Sequence, residues 1–210
     1  IDTFTTGDVR FIVTLFNNGS HLFLNEDQEY SLAVSAGGKT VEHTVTSKTQ
    51  LLNIKIDDPK LWWPNGYGEQ YLYELKISLY RGEMLLDTVS KKIGLREIKL
   101  CRENDEWGQE FCFKVNGVKI FAMGANFVPI DSLYSRFSNE RLEKIIKDCI
   151  FANFNCIRVW GGAFYPDDYF YDLCDKYGLI VWQDFMVACA NVWMRPEFEK
   201  EFEAEAIYNV

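Results

Sequence analysis

The chain has 210 residues, 48% of them hydrophobic and 25% charged, enough apolar material for one large or two ordinary globular domains. Its net charge is −9 with no basic run, which argues against a nucleic-acid surface, and no apolar stretch approaches the roughly 18 residues that a membrane span needs. Aromatic residues reach 16%; they suit core packing, and some Trp and Tyr also suit the faces of sugar rings.

The N-terminal half alternates apolar and polar residues at period two. Val9–Phe16 reads as a strand closed by the turn signal Asn17-Asn18-Gly19. Strands follow at Tyr30–Val34, turned by Gly37-Gly38, and at 40–46, 51–56, 71–80 and 84–89, the last two joined through Arg81-Gly82-Glu83. Six or seven short strands with turns between them predict a β-sandwich of immunoglobulin-like size. Glu110–Val115 and Val118–Met123 around Asn116-Gly117 read as a hairpin whose second strand runs on through Gly124–Pro129.

Beyond that point the period becomes helical. Ser138 is an N-cap for a helix with Leu142, Ile145, Ile146, Cys149 and Ile150 on one face. A strand at Cys156–Trp160 follows. A second helix starts near Asp167, with Pro166 close to its first position and Gly178 as its stop, and Leu179–Asp184 is the next strand. A last helix begins near Arg195-Pro196. Three β-α units in succession predict the start of a parallel barrel or of a doubly wound sheet. The chain begins at Ile1 without Met and stops inside a helical pattern, so it reads as a piece of a longer protein.

No two of the six cysteines form a Cys-x-x-Cys pair and there are only two His, which argues against a zinc site. Four of the six sit in apolar patterns, as buried small hydrophobes of a reducing, cytoplasmic compartment. The triplet Asn18-Gly19-Ser20 reads as part of a turn.

In α/β folds ligands bind at the carboxyl ends of strands. Two expected strands end in Arg158-Val159-Trp160-Gly161-Gly162 and Trp182-Gln183-Asp184. Alternation puts Arg158 with Trp160, Trp182 with Asp184, and Gly124 with Asn126. Asn126, Trp160 and Asp184 are therefore expected around one pocket, with Arg158 a layer deeper. Trp offers a flat apolar face to ring C–H bonds, Asp accepts from paired hydroxyls, Asn donates and accepts, and Arg can grip a carboxylate through two N–H groups. Each also has a structural alternative: Trp160 as core, Asp184 as a loop cap, Arg158 as a scaffold residue. The loop Pro59–Gly68, with its Trp62-Trp63 pair, reads as a rigid structural loop packing that pair between domains, ligand contact being the other reading.

These residues together resemble glycoside hydrolase family 2, and within it the β-mannosidases. The resemblance covers nearly the whole chain. It is carried by Leu61–Gly68 with Tyr71-Leu72-Tyr73, by Gly94-Leu95-Arg96, by Phe113–Gly117, by Gly124–Pro129, by Arg158–Gly162 and by Trp182–Phe185. It implies an immunoglobulin-like sandwich over 1–97 and the first part of a (β/α)8 barrel over 98–210. It also implies an exo-acting retaining hydrolase, free of metal and cofactor, that removes β-linked sugars from non-reducing ends with two Glu residues. In the family these lie on later strands, around the fourth and the seventh, the acid/base in an Asn-Glu pair. No such pair follows Asp184, and Asn25-Glu26 and Asn139-Glu140 stand elsewhere. No catalytic residue is thus assigned here. Trp160 and Asp184 carry over as holders of the non-reducing sugar, with Asn126 and Arg158 as further substrate-binding positions. Ala163 stands where many relatives have a third Gly, a change that should stiffen the loop.

Two other readings compete. Galactosidase and glucuronidase relatives have a Ser-His pair where this chain has Trp-Gly-Gly. A non-catalytic, lectin-like module could keep the sandwich and part of a barrel. The expected partner is a carbohydrate, with neither nucleic acid nor membrane, and the chain alone should self-associate through the exposed sheet of its incomplete barrel.

Overall fold

The computed structural model describes residues 1–17, 20–21, 29–189 and 195–209. Asn18 and Gly19, which the expected turn and the triplet 18–20 share, and Asn25-Glu26 lie outside the described residues. Contacts divide the chain into two compact units, Ile1–Trp63 with Glu69–Ile120, and Pro64–Gly68 with Phe121–Val210.

The first unit carries strands β1 (Asp2–Thr3), β2 (Asp8–Thr14), β3 (Phe16–Asn17), β4 (Ser20–His21), β5 (Tyr30–Ala36), β6 (Lys39–Thr44), β7 (Thr49–Lys55), β8 (Tyr73–Arg81), β9 (Met84–Ile93), β10 (Ile98–Cys101), β11 (Cys112–Val115) and β12 (Val118–Ile120). Two antiparallel sheets, β1-β2-β7 and β6-β5-β8-β9, share one core. Alternate residues supply it: Val9 and Phe11 from β2, Leu32 and Val34 from β5, Leu52 and Ile54 from β7, Leu75 from β8. Period-two burial on both sheets is the mark of a sandwich.

β10, β11 and β12 form a separate antiparallel meander. It groups with the sandwich rather than with residues beyond 120, so the division by contact falls later than 97/98. Asn116 gives one physical reason. Its side-chain oxygen accepts from the Glu97 N–H at 2.9 Å, and its amide donates to the Trp62 carbonyl at 2.9 Å. Trp62 itself is buried, with the Arg96 guanidinium 4.4 Å from its ring centre. Trp63 is half-buried. Its N–H bonds to Glu69 and its carbonyl accepts from the Gln70 side chain.

In the second unit β13 (Gly124–Phe127), β14 (Cys156–Val159) and β15 (Ile180–Gln183) pair in parallel in that order. The expected strand 118–129 is in fact two strands in different sheets, interrupted at 121–123. Gly124 explains the new pairing: a Cβ there would collide with the Cys156 backbone, so only glycine lets β13 lie against β14. β13 reaches β14 through α1 (Asn139–Phe151), and β14 reaches β15 through α2 (Asp168–Tyr177). Ser138 caps α1 by accepting from the Arg141 N–H. Asp167 caps α2, so Pro166 lies just outside that helix, and Gly178 closes it at φ 82°. Leu142, Ile146, Phe170, Leu173 and Cys174 from the helices meet Ile157 and Val159 from the sheet in one core. α3 (Pro196–Asn209) follows β15 and buries no residue.

Asn155, with no exposed surface, fastens the start of β14. Its amide donates to the Phe121 carbonyl and its oxygen accepts from the Met123 N–H, at 3.0 and 2.9 Å. Its own backbone carbonyl takes the Ile180 N–H. In the same unit Asn65 bonds to Gly178 and Phe154. Among the described residues no helix is long and apolar enough to cross a membrane. All six cysteines are free thiols, and burial pushes those of Cys149, Cys156 and Cys174 up, which keeps them neutral.

Candidate active site

Parallel register sets the site. Asn126 lies opposite Arg158, and Arg158 opposite Trp182, forming one row across three strands. The next row, Phe127, Val159 and Gln183, turns to the helices. Phe127 and Val159 join the helix-side core, and Gln183 accepts a 2.7 Å hydrogen bond from the Tyr171 hydroxyl on α2. Burial holds the Tyr171 phenol well above its ordinary value, at about 12, so it stays a donor. The Gln183 amide donates in turn to the Asp184 carbonyl at 2.8 Å. Asp184 is thus held from the helix side while its carboxylate faces the other way.

On that other face Arg158 is the hub. Its Nε donates to Asp184 Oδ1 at 3.1 Å and its Nη2 to Asp184 Oδ2 at 2.6 Å, a two-point fork. Its Nη1 donates to Asn126 Oδ1 at 3.1 Å. The carboxylate that Arg158 grips is therefore the chain's own. Asp184 also accepts from the Gly161 N–H at 3.2 Å, so its loop-capping role and its place in the cluster coexist. The pair is half-open to solvent, with side-chain exposures of 38% for Arg158 and 20% for Asp184.

Trp160 stands beside this set. Its backbone N–H donates to the Phe127 carbonyl, continuing the ladder one step past β14. Its indole folds over Gly162, where a Cβ would strike the six-membered ring. Gly161 is constrained from the other side, since a Cβ there would meet the Phe185 carbonyl and the Asp184 Cβ. Both glycines of Trp-Gly-Gly thus have a steric reason to be glycine. Asn126, Arg158 and Asp184 are joined by hydrogen bonds, whereas the Trp160 indole takes no part in that network. Three further residues of this neighbourhood are not among those the sequence points to. Trp182 shares the Asn126–Arg158 row and is exposed, and Gln183 and Tyr171 hold Asp184 from behind. The alternation signal does place Trp182 on the face of Asp184; nothing along the chain pairs Tyr171 with Gln183.

As chemistry, the face offers a neutralised ion pair, an amide and exposed indole, with carboxylate lone pairs still open to hydroxyl donors. Such a face has the chemistry to orient a polyhydroxylated ring. Residues 8–96 match the model for glycosyl hydrolases family 2. The chain is 43% identical to beta-mannosidase B of Aspergillus oryzae over 86% of its length, and 38% identical to that of Aspergillus niger over 94%. It superposes on the crystal structure of a β-D-mannosidase from Dictyoglomus thermophilum with a TM-score of 0.81 and 33% identity, covering 95% of the chain. It spans about a quarter of the length of these relatives: 22%, 24% and 24% in turn. The family-2 glycosyl hydrolase match thus lies over the strands of the first unit, and the likeness of nearly the whole chain is to β-mannosidases.

Proposed function

We propose that these residues serve a retaining, exo-acting β-mannosidase, as its immunoglobulin-like sandwich (1–97) and the opening β-α units of its (β/α)8 catalytic barrel (98–210). The observation that carries the reading is the Asn126–Arg158–Asp184 cluster at the carboxyl ends of three parallel strands, next to Trp160. In this proposal the cluster and the Trp160 indole hold the non-reducing sugar while two Glu residues, about 5–5.5 Å apart on later strands, carry out acid/base and nucleophilic chemistry. The chain holds no Asn-Glu pair after Asp184. By itself it positions a sugar without cleaving it. The free thiols are in keeping with a reducing, cytoplasmic setting.

Charge balance favours a neutral hexose over a uronic acid. A glucuronidase-like site needs a free cation for the sugar carboxylate, and the Arg158 fork is already closed on Asp184 at 2.6 and 3.1 Å.

The test is a panel of 4-nitrophenyl β-glycosides. Given a full-length protein that contains this chain, the mannoside should be turned over well ahead of the galactoside and glucuronide, while the 210-residue chain leaves all three intact. A preference for galactoside or glucuronide would replace the reading with the neighbouring specificity. Sugar binding by the full-length protein without turnover would make it a binding module. Turnover by the chain alone, tracking protein through repurification, would refute the division of labour.

A further inference from the structure

The meander of β10, β11 and β12 carries a cluster that the sugar-binding reading does not use. Cys101 and Cys112 are register partners across β10 and β11. The pairing continues beyond the strands, because the Glu110 N–H donates to the Glu103 carbonyl at 2.9 Å. Alternation then sets Glu103 and Glu110 on the same face as the two thiols. The ligand atoms of Cys101, Glu110 and Cys112 all lie within 4.8 Å of one another, and all three residues are half-buried. The Cys112 sulfur is 4.0 Å from Glu110 Oε2. A cation already sits against this group: the Lys119 ammonium is 2.7 and 3.0 Å from the Glu110 carboxylate oxygens and 4.0 Å from Glu103.

We propose that Cys101, Cys112 and Glu110, completed by Glu103, form a site for one soft divalent cation of the zinc class. Two sulfurs and a carboxylate are a recognised zinc donor set, with metal–ligand bonds of roughly 2.0–2.3 Å. Such bonds bring tetrahedral donors to roughly 3.5 Å from one another; the donors here stand at 4.0 Å for Cys112 and Glu110 and within 4.8 Å throughout, a gap that side-chain rotation can close. Binding proceeds with balanced charge. Each thiol gives a proton to water as its sulfur bonds to the metal, and Glu110 exchanges the Lys119 ammonium for the ion. Lys119, half exposed on the surface, swings into solvent, and Glu103 takes the fourth position. With all four positions filled by protein, the site braces the meander and has no open coordination for catalysis. Spacing along the chain hides it, because the two cysteines are eleven residues apart and meet only through strand pairing.

The test uses the chain kept reduced with a phosphine and titrated with Cd2+, whose thiolate bonds absorb in the ultraviolet, and with Zn2+ followed by thermal melting. One Cd2+ per chain, release of about two protons per ion and a raised Tm are expected. Cys101→Ser and Cys112→Ser should each abolish the band. Glu110→Gln should weaken binding about tenfold, and Lys119→Met, which removes the competing ammonium, should tighten it several-fold. Cys149→Ser with Cys189→Ser should leave binding unchanged. The Lys119 and Glu110 variants keep both thiols, so they report even if a cysteine variant folds poorly. The site is refuted if the reduced chain shows no stoichiometric thiolate band, or if the band survives in Cys101→Ser. Failure to bind, with Cys101 and Cys112 joining as a disulfide once the reductant is removed, would assign the pair to redox chemistry instead.

Discussion

The Asp184 carboxylate accepts three hydrogen bonds, two from Arg158 and one from the Gly161 backbone. Asp184→Asn keeps the shape but replaces one acceptor oxygen by a donor that faces a donor. Charge-assisted bonds of this kind are worth about 1–3 kcal/mol each, and the exposure of the pair trims that value. In a full-length enzyme the substitution should lower kcat/KM by about tenfold or more while the circular dichroism of the protein stays native. Wild-type kinetics would reduce Asp184 to a loop cap. Alternation alone makes Asn126, Arg158, Trp160 and Asp184 readable as one face. It cannot show that the carboxylate held by Arg158 is Asp184, because that contact spans 26 positions and depends on register between strands. Nor does it show the Trp160 indole turning onto Gly162, a choice of rotamer that leaves no trace in spacing.

At the level of elements, α1 and α2 are joined by an ionic knot. Glu143 on α1 accepts from the Tyr177 hydroxyl at 2.8 Å and pairs with Lys147 and Lys176 at 3.2 and 3.3 Å. The Tyr177 hydroxyl first, then the two lysines, hold its carboxyl down at about 2, against an ordinary 4.5. A depressed folded-state value means that the unfolded chain binds the proton more readily. The stabilising effect is therefore complete above about pH 4.5 and drains away as the pH falls towards about 2. Glu143→Gln should melt below wild type at pH 7, and the gap in Tm should close on acidification through that window. A gap that stays constant from pH 7 to 2 would remove the carboxylate from the account. Both helices were readable from their caps and apolar faces, whereas this knot depends on how they pack together. β10 and the break at 121–123 are not legible in the sequence for a related reason. The first is short and its partner lies eleven residues on. The second is decided by the close approach of Gly124 to Cys156, which alternation does not encode.

For the molecule as a whole, the two units differ in how completely they cover their sheets. The sandwich encloses its core between two sheets. The parallel sheet has helices on one face and is bounded by β13 and β15, each paired on one side only among the described residues. Phe121, Val128, Trp182 and Phe185 of that unit are exposed. Open strand edges and apolar surface drive association, so light scattering on the chain alone should report dimers or larger species. Limited proteolysis should make its first internal cut between about 121 and 138 and release a piece holding the sandwich with its meander. A monomer that resists protease throughout would mean that the parallel unit closes on itself and would end the barrel proposal. The row Asn126–Arg158–Trp182 has one more consequence, because it is a property of register rather than of any loop. Side chains repeat every two residues along a strand, so a single insertion or deletion within β14 would turn Arg158 towards the helices and bring an aliphatic neighbour to the face that Asn126 and Trp182 share. The segments 129–137 and 163–166 carry no such constraint. Natural drift and deliberate redesign can change their length and leave the row in place, while the strands accept substitutions and refuse changes in length.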